Sequence, residues 1–432
     1  MKIRVLIWCP YVNPGGGARL LIRLIGGLSR NPNVELVRIA CSVAGFELLA
    51  SQVTPVLPVE FFRIFPTRPI RTMTDWLKSD SLVYGIRGTG RTKRILSRAI
   101  GLKPVSWLDE QLRNASRGVD VVYAFWPHLA EPAILNDVPV VCTFQDTILL
   151  QHLELIDMAE SEEEWRRSAD WISQSAAVVV SSESTKRTLL ELFGDRGPEP
   201  VVVPHRILPD VPVVSNLSSR PSILPEKYII YPANISPHKN HHTLLTAWAR
   251  LDERERIPLV FLGSGTAWAM ANPRPPWALP AVGPGGWHGI RLPSLIRRLG
   301  LKAGKDFLAL NYLPDADVLP AIGHASALVM PSFAEGGGSY PVEEALTLGV
   351  PVMCSDIPVM REHLAERSAR IAWFDPYSPE AIQRAYRELM ADYDGFKVSA
   401  VAGMSDPRPT WDDVAAGYVR VFQSVVEGAR HA

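Results

Sequence analysis

Short runs of β-branched and aliphatic residues recur along this chain: Val5–Trp8, Val34–Ala40, Val119–Ala124, Val138–Phe144, Ala177–Ser181 and Val201–Val203. Each is apolar nearly throughout rather than alternating with polar residues, which predicts strands buried on both faces. Longer segments with helical spacing separate them, and that alternation implies parallel sheet with crossover helices. The pattern restarts at Tyr228–Tyr231 and continues through Leu259–Gly263, Phe307–Leu310, Ala327–Met330 and Val350–Cys354. Between the two sets, PHRILPDVPVVSNLSSRPSILPEK has prolines and serines but no period, so it reads as a connection. From about Trp411 to Glu427 a final helix carries Val414, Tyr418, Val421 and Val425 on one stripe and must pack against something.

The pattern predicts an α/β chain of two doubly wound domains, 1–205 and 228–408, joined by a linker at 206–227 and followed by a terminal segment at 409–432. A length of 432 residues agrees, since single cores rarely grow so large. Ligands of open α/β sheets bind outside the carboxyl ends of the strands, so a cleft between two such domains is where chemistry is expected.

Composition changes this picture little. With 47% hydrophobic and 21% charged residues, disorder and fibrous classes are excluded, and a net charge of zero gives no reason to expect a nucleic-acid partner. Cys9, Cys41, Cys142 and Cys354 are widely spaced and form no C-x-x-C pair, which argues against disulfides and zinc. The N-terminal apolar stretch Val5–Cys9 is too short for a signal peptide and reads as the first strand. That cysteine usage fits a reducing cytoplasm, and because no run of about 18 apolar residues occurs, any membrane contact is expected to be peripheral. One segment suits such contact: residues 63–103 carry ten Lys or Arg against Asp75 and Asp80 alone, with apolar residues interleaved. The alternative is a solvated helical insert. Residues 272–289 are rich in Pro and Gly and read as a loop.

Candidate chemistry concentrates in PSFAEGGGSYPVEEALTLGVPVMCSD, Pro331–Asp356. A strand runs into Glu335, Gly336, Gly337, Gly338 and Ser339, after which Pro341 opens a helix carrying Glu343 and Glu344. Glycines let a backbone approach a ligand closely, and a helix N-terminus presents unpaired N–H groups and a positive dipole end, a combination suited to a diphosphate. The acidic residues beside it are better placed for sugar hydroxyls than for phosphate. A glycine-rich turn with a capping glutamate is the simpler structural alternative. Upstream, YPANISPHKNHHTLLTAW places Asn234, His238 and Lys239 between a strand and a helix. Near the N-terminus, YVNPGGGARLL sets Gly16 and Gly17 at another strand-to-helix turn, and His128 follows a third strand in AFWPHLAEP.

The segment around Glu335 resembles the E-x7-E region of glycosyltransferase family 4 and related GT-B enzymes. The resemblance implies two Rossmann-like domains facing a cleft, with a C-terminal helix that crosses back onto the first domain. It also implies retention of configuration without a metal or other cofactor, the first glutamate contacting the donor hexose and the second the ribose. Aligning Pro341-Val342-Glu343-Glu344-Ala345 makes Glu344 the second glutamate, whereas counting seven residues from Glu335 selects Glu343. Helix geometry sends the two about 100° apart, so only one can face a ligand. Lys239 takes the place of the lysine that neutralises the donor diphosphate, and Asn234 stands where relatives often carry arginine. Gly16 and Gly17 resemble the family's first glycine turn, and His128 a histidine near the reacting carbon. In Phe144-Gln145-Asp146, Gln145 replaces a histidine and removes an acid–base group there. The HKN and EGGGS variants are similar to those of bacterial mannosyltransferases that build surface polysaccharides. A nucleotide-sugar donor such as GDP-mannose and a glycan or lipid-linked acceptor are therefore expected. Two rivals compete: a non-catalytic nucleotide-sugar-binding protein, suggested by Asn234 and Gln145, and an NAD-dependent oxidoreductase, suggested only by the first glycine turn.

Overall fold

The computed structural model describes residues 1–10, 12, 16–52, 58–64, 107–128, 132, 135, 137–152, 158–205, 217–270 and 286–431. Nearly all of the basic segment 63–103, the loop residues 272–285 and residues 206–216 of the linker lie outside the described residues. Residues 286–289, expected in a loop, instead open the helix Gly286–Leu299.

The chain divides into two units, Met1–Leu150 with Ile156–His205 and Pro409–Ala432, and Gln151–Leu155 with Arg206–Arg408. In the first, the described strands are β1 (Ile3–Cys9), β2 (Val34–Cys41), β3 (Val59–Arg63), β4 (Val121–Ala124), β5 (Val140–Phe144), β6 (Ala177–Val180) and β7 (Val201–Val202). They pair in parallel in the order β3-β2-β1-β4-β5-β6-β7. The second unit holds β8 (Ile229–Pro232), β9 (Leu259–Leu262), β10 (Phe307–Leu310), β11 (Ala327–Met330), β12 (Val352–Ser355) and β13 (Ile371–Phe374), in the order β10-β9-β8-β11-β12-β13. All of its pairings are parallel as well.

Both sheets therefore have the doubly wound form that the apolar runs predict. Central strands such as β4, β5, β6 and β11 are buried at every position, because crossover helices cover both faces. Two edge strands escaped the pattern. β3 mixes Glu60 and Arg63 with its aromatics and has no fully buried residue, and β13 alternates half-buried with buried positions. An edge strand keeps one side open to water, so it lacks the continuous apolar signature.

The helix Trp411–His431 belongs to the first unit and packs on the helix Gly16–Arg30. Their approach is close: a Cβ on Gly27 would stand 2.6 Å from the Trp411 carbonyl oxygen. Tyr418 and Phe422 reach Tyr123 of β4, with ring centroids 5.2 and 5.4 Å away. Val425 is only half-buried, and Phe422 and Val426 complete the packed stripe instead. The four cysteines are buried and unpaired. Among the described residues, no helix is long and apolar enough to cross a membrane.

Candidate active site

In each sheet the strand order reverses once, between β1 and β4 and between β8 and β11. Crossover connections leave on opposite faces at such a point, opening a crevice at the carboxyl ends of the two strands. Gly16 and Gly17 follow β1 and His128 follows β4, whereas Lys239 follows β8 and Glu335 follows β11. The residues singled out in the sequence thus stand at the two switch points.

At the second switch point the local chain is tightly built. Pro237–Lys239 forms one 3-10 turn, and Asn240 then adopts φ 57°, left-handed backbone that asparagine tolerates better than most residues. Its buried amide donates to the carbonyls of Pro331 (2.8 Å) and Pro376 (2.7 Å), and its Oδ1 accepts from the Thr243 N–H that opens the next helix. The Phe333 N–H donates to the His238 carbonyl (2.7 Å), and the Tyr231 hydroxyl donates to the Lys239 carbonyl (2.7 Å). These bonds fasten the turn after β8 to the loop after β11. As a result Lys239 Nζ meets Glu335 Oε1 at 2.6 Å, with the two side chains 20% and 9% exposed, accessible enough for a ligand to reach.

Gly336, Gly337 and Gly338 follow, half-buried, and Gly338 has φ 147°, a conformation essentially confined to glycine. Ser339 caps the helix Tyr340–Thr347 by position without a side-chain bond to it, and Pro341 occupies the first turn. Asn234 is exposed. His238, in the 3-10 turn, is half-buried.

The ambiguity between Glu343 and Glu344 is one of position around a helix, and the packing separates them. Glu343 is fully buried, its Oε1 accepting from Arg367 (3.1 Å) and lying 3.0 Å from His363 Nε2, its Oε2 accepting from Arg408 (3.3 Å). Burial works to raise its pKa, but His363, Arg367 and Arg408 together hold the carboxyl below its usual range. With both oxygens engaged inside the unit, Glu343 is a structural charge, and its place among the donor-site candidates is corrected accordingly. Glu344 is 3% exposed.

His128 also departs from its expected role. It is buried, with Nδ1 2.7 Å from Glu164 Oε1 and Nε2 3.0 Å from the Asp146 carbonyl. Burial alone would lower its pKa, yet Glu164 and Asp146 outweigh it and the value is raised. A ring with both nitrogens occupied has none to offer a reacting group. His128 thus ties the Asp146 loop to Glu164, which Arg167 also contacts at 3.3 Å. Trp126, 37% exposed, stands beside Gly17 on the same rim.

Several contributors had no signal strong enough to single them out. Gly263, at φ 128°, passes so close to Ala233 and Asn234 that a Cβ would lie 2.6 Å from the Ala233 backbone. Asn311 accepts from the Gly263 N–H through its carbonyl and from the Gly265 N–H through Oδ1. Together they hold the loop after β9 against the Asn234 turn. A groove of about 610 Å³ lies between Pro237, Asn240, Phe333 and the helix residues Arg291 and Arg298. No group of three His, Cys, Asp or Glu residues among the described ones is placed to hold a metal.

Residues 217–399 match the family of glycosyl transferases group 1, a span that contains the whole Lys239–Glu335 site. The resemblance to the group 1 glycosyltransferases thus lies in the second unit. Among curated relatives it is similar to O-antigen chain mannosyltransferase B of Escherichia coli, 26% identical over 199 residues, which covers 45% of each chain. It also resembles the serotype-specific mannosyltransferase WbdA of Escherichia coli, 25% identical over 267 residues, 59% of this chain and 29% of that one. The alignments thus span less than half the length of these relatives. Among solved structures, sucrose-phosphate synthase from Thermosynechococcus elongatus superposes with a TM-score of 0.63 at 13% identity, covering 99% of this chain and 100% of that one. HepE of Anabaena in complex with UDP-glucose gives 0.59 at 15% identity, with both chains fully covered. At such identities the likeness establishes the fold alone, and that fold is GT-B.

Proposed function

We propose that this chain is a group 1 glycosyltransferase that moves a hexose, mannose in our reading, from a nucleotide-sugar donor such as GDP-mannose to a glycan or lipid-linked glycan acceptor, with retention and without a metal. The observation that carries the reading is the Lys239–Glu335 pair at the β8/β11 switch point, followed directly by the glycine loop and a helix N-terminus. In the ligand-free chain the ammonium and carboxylate neutralise each other. A donor diphosphate takes over the lysine, freeing Glu335 to accept from sugar hydroxyls.

Departure of a nucleoside diphosphate from the anomeric carbon develops charge on the leaving oxygens, and fixed donors aimed at them lower that barrier most. Lys239, the amides of Gly336–Gly338 and the dipole of Tyr340–Thr347 are such donors. The acceptor oxygen attacks from the face the phosphate leaves, passing its proton to a departing phosphate oxygen. This route requires no protein nucleophile, which accords with His128 having no free ring nitrogen. Mannose and a surface-polysaccharide acceptor are favoured by the named activities of the Escherichia coli relatives, and a nucleotide donor by the UDP-glucose bound to HepE.

The test is turnover of GDP-mannose and UDP-glucose with mannose-terminated lipid-linked acceptors, with and without EDTA. Transfer with retained configuration that survives chelation is expected. Donor binding without transfer to any acceptor would favour the non-catalytic reading, and activity restored only by magnesium or manganese would overturn metal independence.

A further inference from the structure

The glycine loop has a support that its own sequence does not disclose. A Cβ built on Gly338 would stand 2.4 Å from His363 Cε1 and 2.5 Å from its Nδ1, far inside contact distance. The imidazole therefore fills the volume that any other residue at position 338 would need. His363 closes the helix Pro358–His363 after β12, and its side chain is 1% exposed. Its Nε2 lies 3.0 Å from Glu343, out of line for a good hydrogen bond, and neither ring nitrogen has a well-aligned partner among the described residues. Behind it, Glu343 is anchored by Arg367 and Arg408, which are 3% and 4% exposed.

We propose that His363, held from behind by Glu343, is a positioning residue that sets Gly338 and its neighbours for the anionic part of the ligand. Gly338, at φ 147°, has many conformations to choose from when unsupported, and a loop of three glycines loses more freedom on ordering than any other sequence of that length. A rigid ring pressed against one face removes alternatives without adding a side chain to the site. It also explains the burial of a weakly bonded imidazole, which otherwise costs stability. The role rests on the reading of this loop as the diphosphate cradle, and His363 itself touches no ligand in it.

The experiment compares the full-length parent with His363→Ala and His363→Gln, the second keeping a polar group of similar reach in case the first folds poorly. Amide hydrogen exchange over residues 336–339 is followed in ligand-free protein, and nucleotide-sugar affinity is measured by titration. We expect exchange in the loop to speed up in His363→Ala while the surrounding strands stay protected. Apparent affinity falls by the fraction of time the loop is binding-competent, so donor affinity should fall by about ten- to a hundredfold in His363→Ala, with His363→Gln between parent and Ala. A purely structural histidine would lower the melting temperature and leave loop exchange and donor affinity of the folded protein unchanged, which would overturn the proposal. Failure of the parent to bind any nucleotide sugar would instead sink the functional reading, and loop exchange would still decide the contact between His363 and Gly338.

Discussion

Two residues singled out separately in the sequence meet in the fold. Lys239 and Glu335 stand 96 positions apart in the chain and 2.6 Å apart in space. Truncating either leaves no core cavity, so fold stability should hold while turnover falls, for Lys239 by about 100- to 1,000-fold as one charge-stabilising donor is lost. Kinetics of Lys239→Ala and Glu335→Ala beside their melting curves check this, and normal turnover in both would remove the donor-site assignment. His241, two residues further on, poses the opposite case. It is buried between Tyr231 and Phe261, and burial first, then the neighbouring His242, Lys239 and His238, lower its pKa to about 3. In the unfolded chain it titrates near 6.5, so between about pH 6.5 and 3 the unfolded state binds the extra proton and stability falls as pH falls. This histidine should cost about 2 kcal/mol at pH 5 relative to neutral pH. Denaturant titrations of the parent and His241→Phe at pH 7 and pH 5 should show the variant losing less on acidification. An equal loss in both would show that His241 is not the source.

Among elements, the pair of helices Gly16–Arg30 and Trp411–His431 shows how a small residue sets an interface. Gly27 lets the Trp411 backbone approach so closely that a methyl group would collide with its carbonyl, and backbone cannot swing aside as a long side chain can. Gly27→Ala should therefore destabilise the first unit by about 1–3 kcal/mol, the usual cost of overpacking, despite the better helix propensity of alanine. Urea unfolding measures it, and a gain in stability would mean that the helices separate freely. In the second unit the equivalent device is polar. Asn240 binds two loops at once, and no hydrophobic pattern announces such a residue, because its partners Pro331 and Pro376 are 91 and 136 positions away.

For the whole molecule, charge balance conceals a local excess. The net charge is zero, yet residues 63–103 sum to +8. We expect this segment to draw the chain to anionic surfaces at about 1 kcal/mol per well-placed cation. Screening over about 8 Å at physiological salt makes that attraction fade as salt rises. Sedimentation with anionic but not neutral vesicles, reversed by salt, is the expected result. Equal absence from both would leave a solvated insert and remove the case for a membrane-held acceptor.

What the sequence determined by itself is whatever depends on neighbours along the chain. The doubly wound sheets follow from apolar runs alternating with helical spacing, and the triple glycine at 336–338 marks a turn whose backbone other residues rarely adopt, as Gly338 at φ 147° does. Tertiary structure decided everything that depends on which side of an element a residue faces and what waits there. Adjacent glutamates at 343 and 344 look equivalent as letters, and only packing shows Glu343 engaged with Arg367, Arg408 and His363. His128 has the look of a reactive group until Glu164 and the Asp146 carbonyl occupy both its nitrogens. The edge strands β3 and β13 were hidden because half-wet strands carry no strong pattern. Long-range partners leave no local trace, since a hydrogen bond or an ion pair constrains distance in space and places no demand on the residues in between.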